Sequence, residues 1–238
     1  MKLRIAIVVL GGSIFAGLTG LAWALPAATA SVCPSCYGFE RAAPQVYVEK
    51  GLASEQAEAI VKFVDEGRQR VRKFWGPRQA SPRILVCSDS ACFERLGGGR
   101  RRGMSIFDFV AVLSPRGSDP VIAAHELSMI ELNKRVGLLG FAREAIPVWF
   151  NEGIAMYASD DLRYLGPEGA GDRCLIAPSA PLPSGLFDWG RHALTDQHLY
   201  AKAACATSRW ITAHGGPGSA VEVVSKVGAG VPFDEAVR

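Results

Sequence analysis

The order of strand-like and helical patterns along the 238-residue chain predicts a single α+β domain. Three observations carry this. Short strand-like runs cluster in the first half, around one long helical segment. Only helical patterns follow in the second half. At 49% hydrophobic and 21% charged residues, the chain has the composition of a globular protein that can bury its own core. No internal repeat and no low-complexity tract interrupts it.

The elements follow in order. "QVYVE" at 45–49 alternates in polarity and reads as a strand. Ser54 is placed to cap a helix over 54–75, with Ala57, Ile60, Val61, Val64 and Val71 recurring at helical spacing. Gly76 and Pro77 stop it. "RILVC" at 83–87 predicts a buried strand, residues 89–96 a short helix ended by Gly97, and "SIFDFVAVLS" at 105–114 one further strand. Ser118-Asp119-Pro120 supplies a cap and a proline for the first helical position. That helix is predicted to run through His125 to about Val136, where Gly137 and Gly140 break it. Ile146-Pro147 opens a second helix, "PVWFNEGIAMYAS", to about Ser159. A Gly- and Pro-rich loop is expected over 160–193. Thr195 or Asp196 then caps a helix to about Ala213, another covers about 218–227, and "FDEAVR" begins a last turn.

Residues 1–30 stand apart. Lys2 and Arg4 precede an apolar run over 5–25, and Ala28 and Ala30 fit an A-x-A cleavage site. We therefore expect residues 1–30 to be a signal peptide cut after Ala30, or residues 5–25 to remain as a membrane anchor. Val32 stands before Cys33, where a lipoprotein signal needs a small residue, so lipidation is not expected. Both readings export the rest: a Cys-containing linker at 31–44 and the folded domain at 45–238, in the periplasm or secreted. The membrane would be touched only through an uncut N-terminal segment.

Removing residues 1–30 lowers the net charge from +3 to +1. A nearly neutral domain makes no electrostatic case for nucleic acid. Arg100, Arg101 and Arg102, set among glycines, read as a solvated loop. The six cysteines are an even count in an exported chain and favour disulfides. Sequence leaves their fifteen possible pairings open. The pairing we expect is Cys33 with Cys36, Cys87 with Cys92, and Cys174 with Cys205. The "CPSC" at 33–36 has redox spacing, but it follows the export segment and not a strand, so a thioredoxin-type role is not expected.

The chemistry lies in "AAHELSMIEL" at 123–132 and "WFNEGIA" at 149–155. In H-E-x-x-H, two histidines four apart on a helix bind zinc and the glutamate beside the first reaches the metal-bound water. His125 and Glu126 fill the first two places, and Glu152, on the next helix, is placed to be a further ligand. Together, "HELS" and "IPVWFNEGIAMY" resemble the gluzincin group of zinc metallopeptidases, in particular bacterial peptidase MA-like domains. The resemblance covers about 120–159. It implies a zincin-like domain: a small sheet packed on the active-site helix, followed by a mostly helical C-terminal part. It implies His125 and Glu152 as Zn²⁺ ligands, Glu126 as general base, and a peptide or protein as substrate.

The departure is Met129, where the second histidine belongs. A thioether is a soft donor, suited to Cu(I) and poor for Zn²⁺. Ser128 and Asn133 lie near the same helical face but are poor zinc ligands, and Glu131 points away; His192 is the one remote histidine considered as a substitute. Tyr157, Tyr164 and His192 are the side chains considered for oxyanion stabilisation. Trp149 and Phe150 are expected beside the site. On a purely structural reading, Met129 is a core residue in line with Val121, Ala124 and Leu132. Two functions are therefore set against each other: an exported gluzincin-like peptidase, its activity weakened or lost, and an inactive pseudopeptidase that binds a peptide or protein partner. A soft-metal site on His125 and Met129 is a third reading.

Overall fold

The structure, a computed structural model, describes residues 26–238. The apolar run at 5–25 lies outside the described residues. Among those described, no helix is long and apolar enough to cross a membrane. The α+β class is as expected: a five-stranded mixed sheet and nine α-helices among the described residues.

The chain opens with α1 (Pro26–Val32), then a 3₁₀ turn at Pro34–Tyr37 and strand β1 (Phe39–Ala43). The expected cut after Ala30 falls inside α1, where Ala27 and Ala30 are buried and Thr29 Oγ1 lies 2.6 Å from the Tyr37 hydroxyl. β1, in the stretch expected as a linker, pairs antiparallel with β2 (Val46–Glu49). After α2 (Ser54–Trp75), β3 (Arg83–Val86) joins β2 in parallel. The short α3 (Ser90–Arg95) is capped by the Asp89 carboxylate, which accepts from Cys92 N at 2.7 Å.

The single strand expected at 105–114 is two. β4 (Gly103–Ile106) and β5 (Val110–Leu113) form an antiparallel hairpin, with Phe107 at φ 47° in its turn. Asp108 is the turn's one polar residue, and the aromatic rings of Phe107 and Phe109 on either side mask it in the sequence. The sheet order is β1-β2-β3-β5-β4, which leaves β4 on an edge.

Alternation along the central strands gives the sheet two buried faces. Ile84, Val86, Ala111 and Leu113 point to the larger core, built on α2 and the helices that follow. Leu85, Val110 and Val112 point to a smaller core closed by α1 and α3, with Cys87–Cys92 in it. The disulfides Cys33–Cys36, Cys87–Cys92 and Cys174–Cys205 are the expected pairing and leave no free cysteine. Three disulfides accord with an exported chain in an oxidising compartment.

The second half is helical: α4 (Pro120–Ala142), α5 (Val148–Ser159), α6 (Leu186–Ala193), α7 (Leu199–Ala213), α8 (Pro217–Gly228) and α9 (Phe233–Ala236). α4 is two helices across a kink at Gly137, whose φ of 73° and ψ of 172° are outside the helical region. That is the break expected there. α6 falls in the stretch expected as a loop. Gly153 lets α5 pass close to α7: a Cβ on it would lie 2.0 Å from Thr207 Oγ1 and 2.8 Å from the Ala203 carbonyl oxygen.

Candidate functional site

Asp119 fixes the start of α4. Its Oδ1 accepts from the backbone N of Val121 at 2.8 Å and of Ile122 at 2.9 Å, the cap expected from sequence. From there α4 shows one face to the core and another to a groove of about 1030 Å³. Ile122, His125, Glu126, Met129, Asn133 and Val136 line that groove, three or four residues apart, as one helical face requires. Strand β4 runs along the opposite wall.

Glu152 on α5 meets His125 across the groove. Its Oε2 lies 3.3 Å from His125 Nε2, with the two side chains 14% and 12% exposed. Asn151 Oδ1, one residue earlier, is a buried acceptor with no hydrogen-bond donor among the described residues, whereas Glu152 Oε2 has His125 Nε2 as its neighbour. Burial pulls the His125 pKa down, but the Glu152 carboxylate, with Glu126 and Asp161 beyond it, more than offsets this and the net direction is up.

Glu126 lies deeper, only 6% exposed, under Gly103 of β4. A Cβ at Gly103 would stand 2.8 Å from its Oε1, so glycine is what lets the strand close over the carboxyl. Burial raises the Glu126 pKa to about 7; Glu152 adds to the rise, while His125, a hydrogen bond from Ser105 and Arg101 oppose it. A carboxyl with that value exchanges its proton near neutral pH, as a general base must.

Met129 takes the place one helical turn beyond His125. It is half-buried and lines the groove, with Sδ 4.0 Å from Ser105 Oγ. The expectation of a core residue is corrected here: its stripe neighbour Ala124 is buried, but Met129 faces the ligand side. Ser128 turns the other way and accepts from Trp75 Nε1 at 2.8 Å. Glu131 is occupied elsewhere, accepting from Arg135 and from the backbone of Gln79 and Ala80. His192 is exposed on α6, its Nδ1 2.9 Å from the Asp188 carbonyl oxygen, and it does not line the groove.

Other expectations change. Trp149 and Phe150 face away from the groove, packing against each other and Phe233. Tyr157 packs on Phe74. Tyr164 does line the groove, stacked at 5.7 Å on Tyr200, which sequence reasoning missed. Burial raises both phenols, Tyr200 to about 12, so both stay neutral donors. Nothing in the alanine-rich spacing of α7 marks Tyr200; only the packing of α7 on α5 brings it in.

Zinc sites of this kind need three protein donors and an open position. The donors here are His125 Nε2 and the Glu152 carboxylate, with a thioether in the third place. No group of three or more His, Cys, Asp or Glu able to hold a metal forms among the described residues. This donor set does not fit Zn²⁺. No protein-family model and no curated protein matches the chain.

Proposed function

We propose that this chain is a zincin-like pseudopeptidase: an exported domain whose groove binds an extended peptide or protein segment without cutting it. The single observation that carries the reading is Met129, one turn from His125 and facing the groove. It leaves two hard donors where zinc needs three. The rest of the groove suits a peptide. Its volume is at the large end of ligand sites. It is bordered by edge strand β4, as strand addition by a peptide requires.

One observation favours the peptidase alternative. Glu126 keeps the place and proton affinity of a general base, so the residue beside the metal position remains fit for catalysis. That reading requires a third donor from another molecule, since residues 1–25 hold no His, Cys, Asp or Glu.

The test is the zinc content of the purified full chain beside its Met129→His variant, with hydrolysis of a broad fluorogenic peptide mixture measured on both. We expect little zinc and no hydrolysis in the wild type, and about one zinc per chain in the variant. One zinc and peptide cleavage in the wild type would refute the pseudopeptidase reading. No gain of zinc in the variant would refute the zincin relationship itself.

A further inference from the structure

The groove is not uniform along its length. β4 runs beside α4 in the same direction: Gly103 covers Glu126, Ser105 reaches Met129, and the Phe107 carbonyl accepts from Asn133 Nδ2 at 3.1 Å. The two ends of the groove can therefore be told apart by their side chains.

At the start of α4, the wall is the Arg100-Arg101-Arg102 run, which the sequence suggests is only a solvated loop. All three arginines are exposed and line the groove. The loop is held there by the backbone: Arg102 Nη1 donates to the Arg116 carbonyl at 2.8 Å, and Ser114 Oγ to the Arg102 carbonyl at 2.7 Å. None of the three forms an ion pair among the described residues, whereas nearby Arg163 is tied to Asp161. Positive charge is thus concentrated at one end, tied up in no ion pair among the described residues, with buried Glu126 as the carboxylate that Arg101 acts on from a distance.

At the far end, beyond Val136, the wall is apolar. Phe141 packs on Phe107 with ring centroids 5.2 Å apart, tilted at 53°, and is 43% exposed. Leu186 at the start of α6 and Leu194 just past its end also line the groove, 61% and 87% exposed. Glu144 accepts from Leu186 N at 3.0 Å and ties α6 to that end. Large apolar side chains left this open, at the mouth of a groove, mark a contact surface.

We infer that the groove selects a peptide that is acidic at one end and bulky and apolar at the other. This rests on the peptide-binding reading above and names the class of peptide. Ile122 to Val136 spans about 21 Å of helix at 1.5 Å per residue. An extended strand covers that in about six residues. The acidic group and the apolar anchor, which lies beyond Val136, are therefore at least about six residues apart in the ligand. Complementary charge would set the choice of partner and the rate of encounter, and the apolar anchor most of the residence time.

The experiment is fluorescence anisotropy of labelled peptides with the full chain. One peptide carries a glutamate block, a Gly/Ser spacer and a Leu-Phe-Leu-Trp block, made in both orders. Controls replace the glutamates by lysines, or the apolar block by serines. In one order, the acidic-apolar peptide is expected to bind about tenfold tighter than either control. The acidic preference is expected to fall as salt rises from about 50 to about 300 mM. It should vanish in Arg100→Glu/Arg101→Glu, while Phe141→Ser/Leu194→Ser weakens the apolar preference alone. These are exposed positions, and an unchanged circular dichroism spectrum confirms that each variant folds.

Equal binding of acidic and basic peptides, or an acidic preference that survives the double charge reversal, would overturn the inference and leave a peptide groove standing. Binding to phosphatidylserine vesicles with no discrimination among peptides would assign the arginines to a membrane surface and overturn it too. No binding of any peptide would remove the peptide-binding reading itself.

Discussion

Replacing Glu126 by glutamine should stabilise this protein, and should do so only above acidic pH. The carboxyl is pushed from its ordinary 4.5 to about 7, first by burial. A raised carboxyl pKa means that the folded state holds its proton more tightly than the unfolded chain does. Below pH 4.5 both states are protonated and the group makes no difference. As pH rises from 4.5 to about 7, the unfolded chain ionises freely and the folded chain resists, so stability is lost. Above pH 7 the loss is complete. A shift of this size corresponds to about 3 kcal/mol. His125 acts in the same direction, since its raised pKa gives stability at low pH that disappears as pH rises through the folded value.

Glutamine keeps the shape of the protonated acid and never ionises. Wild type and Glu126→Gln should therefore unfold alike near pH 4, and the variant should be more stable by about 3 kcal/mol near pH 8. For a domain of this size that is a gap of roughly 6–12 °C in Tm. Urea unfolding with disulfides intact, at both pH values, measures it directly. A gap that does not change with pH, or a variant less stable at pH 8, would refute the account of Glu126 as a carboxyl held protonated by burial.

Three further outcomes follow from packing. Gly153→Ala would press its Cβ into Thr207 and the backbone of Ala203; it should cost roughly 1–3 kcal/mol or more in denaturant unfolding, and a neutral effect would mean that α5 and α7 do not cross so closely. Removing Cys174–Cys205 by a double alanine substitution releases a link between positions 31 apart. It should lower stability by about 4 kcal/mol, and thiol titration of the unfolded, unreduced wild type should find no free cysteine. A chain starting at Ser31 loses buried Ala27 and Ala30 and the Thr29–Tyr37 contact. It should be less stable than one starting at Pro26 by about 2 kcal/mol, and equal stability would show that α1 contributes nothing to the smaller core.

Much of the fold was legible because its signals are local. Asp119-Pro120 marks the start of α4 and Gly137 its break, and both act within one turn of chain. The disulfide pairs Cys33–Cys36 and Cys87–Cys92 are close in sequence as well as in space. What was missed depends on distant partners. β1 reads as linker because only pairing with β2 makes it a strand. The β4–β5 turn is masked by the aromatic residues flanking Asp108, because Phe107 and Phe109 find cover outside the strands, on each other and on Phe141. Trp149 and Phe150 sit beside Glu152 in sequence, yet adjacent helix residues point to different faces, and theirs is the core. Tyr200 and the arginine wall join the groove from far along the chain, and no spacing rule relates them to His125.

The cost of the groove bears on its purpose. Glu126 ionises in place at an expense of about 3 kcal/mol at neutral pH. That is a substantial part of the 5–15 kcal/mol by which domains are commonly stable. Glu152 adds a second buried carboxylate, set beside His125 at 3.3 Å. Such a cluster does not hold a fold together: buried ionic groups replaced by well-packed apolar ones often leave a protein as stable or more so. On the zincin-like reading proposed above, Met129 removes the zinc that would balance these carboxylates. Had such a site lost all use along with its metal, nothing in the packing would require His125, Glu126 and Glu152 to face one open groove, and apolar side chains would fill it at lower cost. A groove maintained against stability is one whose occupant matters, and the peptide proposed above, with its own N–H donors, an acidic end and an apolar anchor, would match the carboxylates, the arginine wall and the apolar mouth.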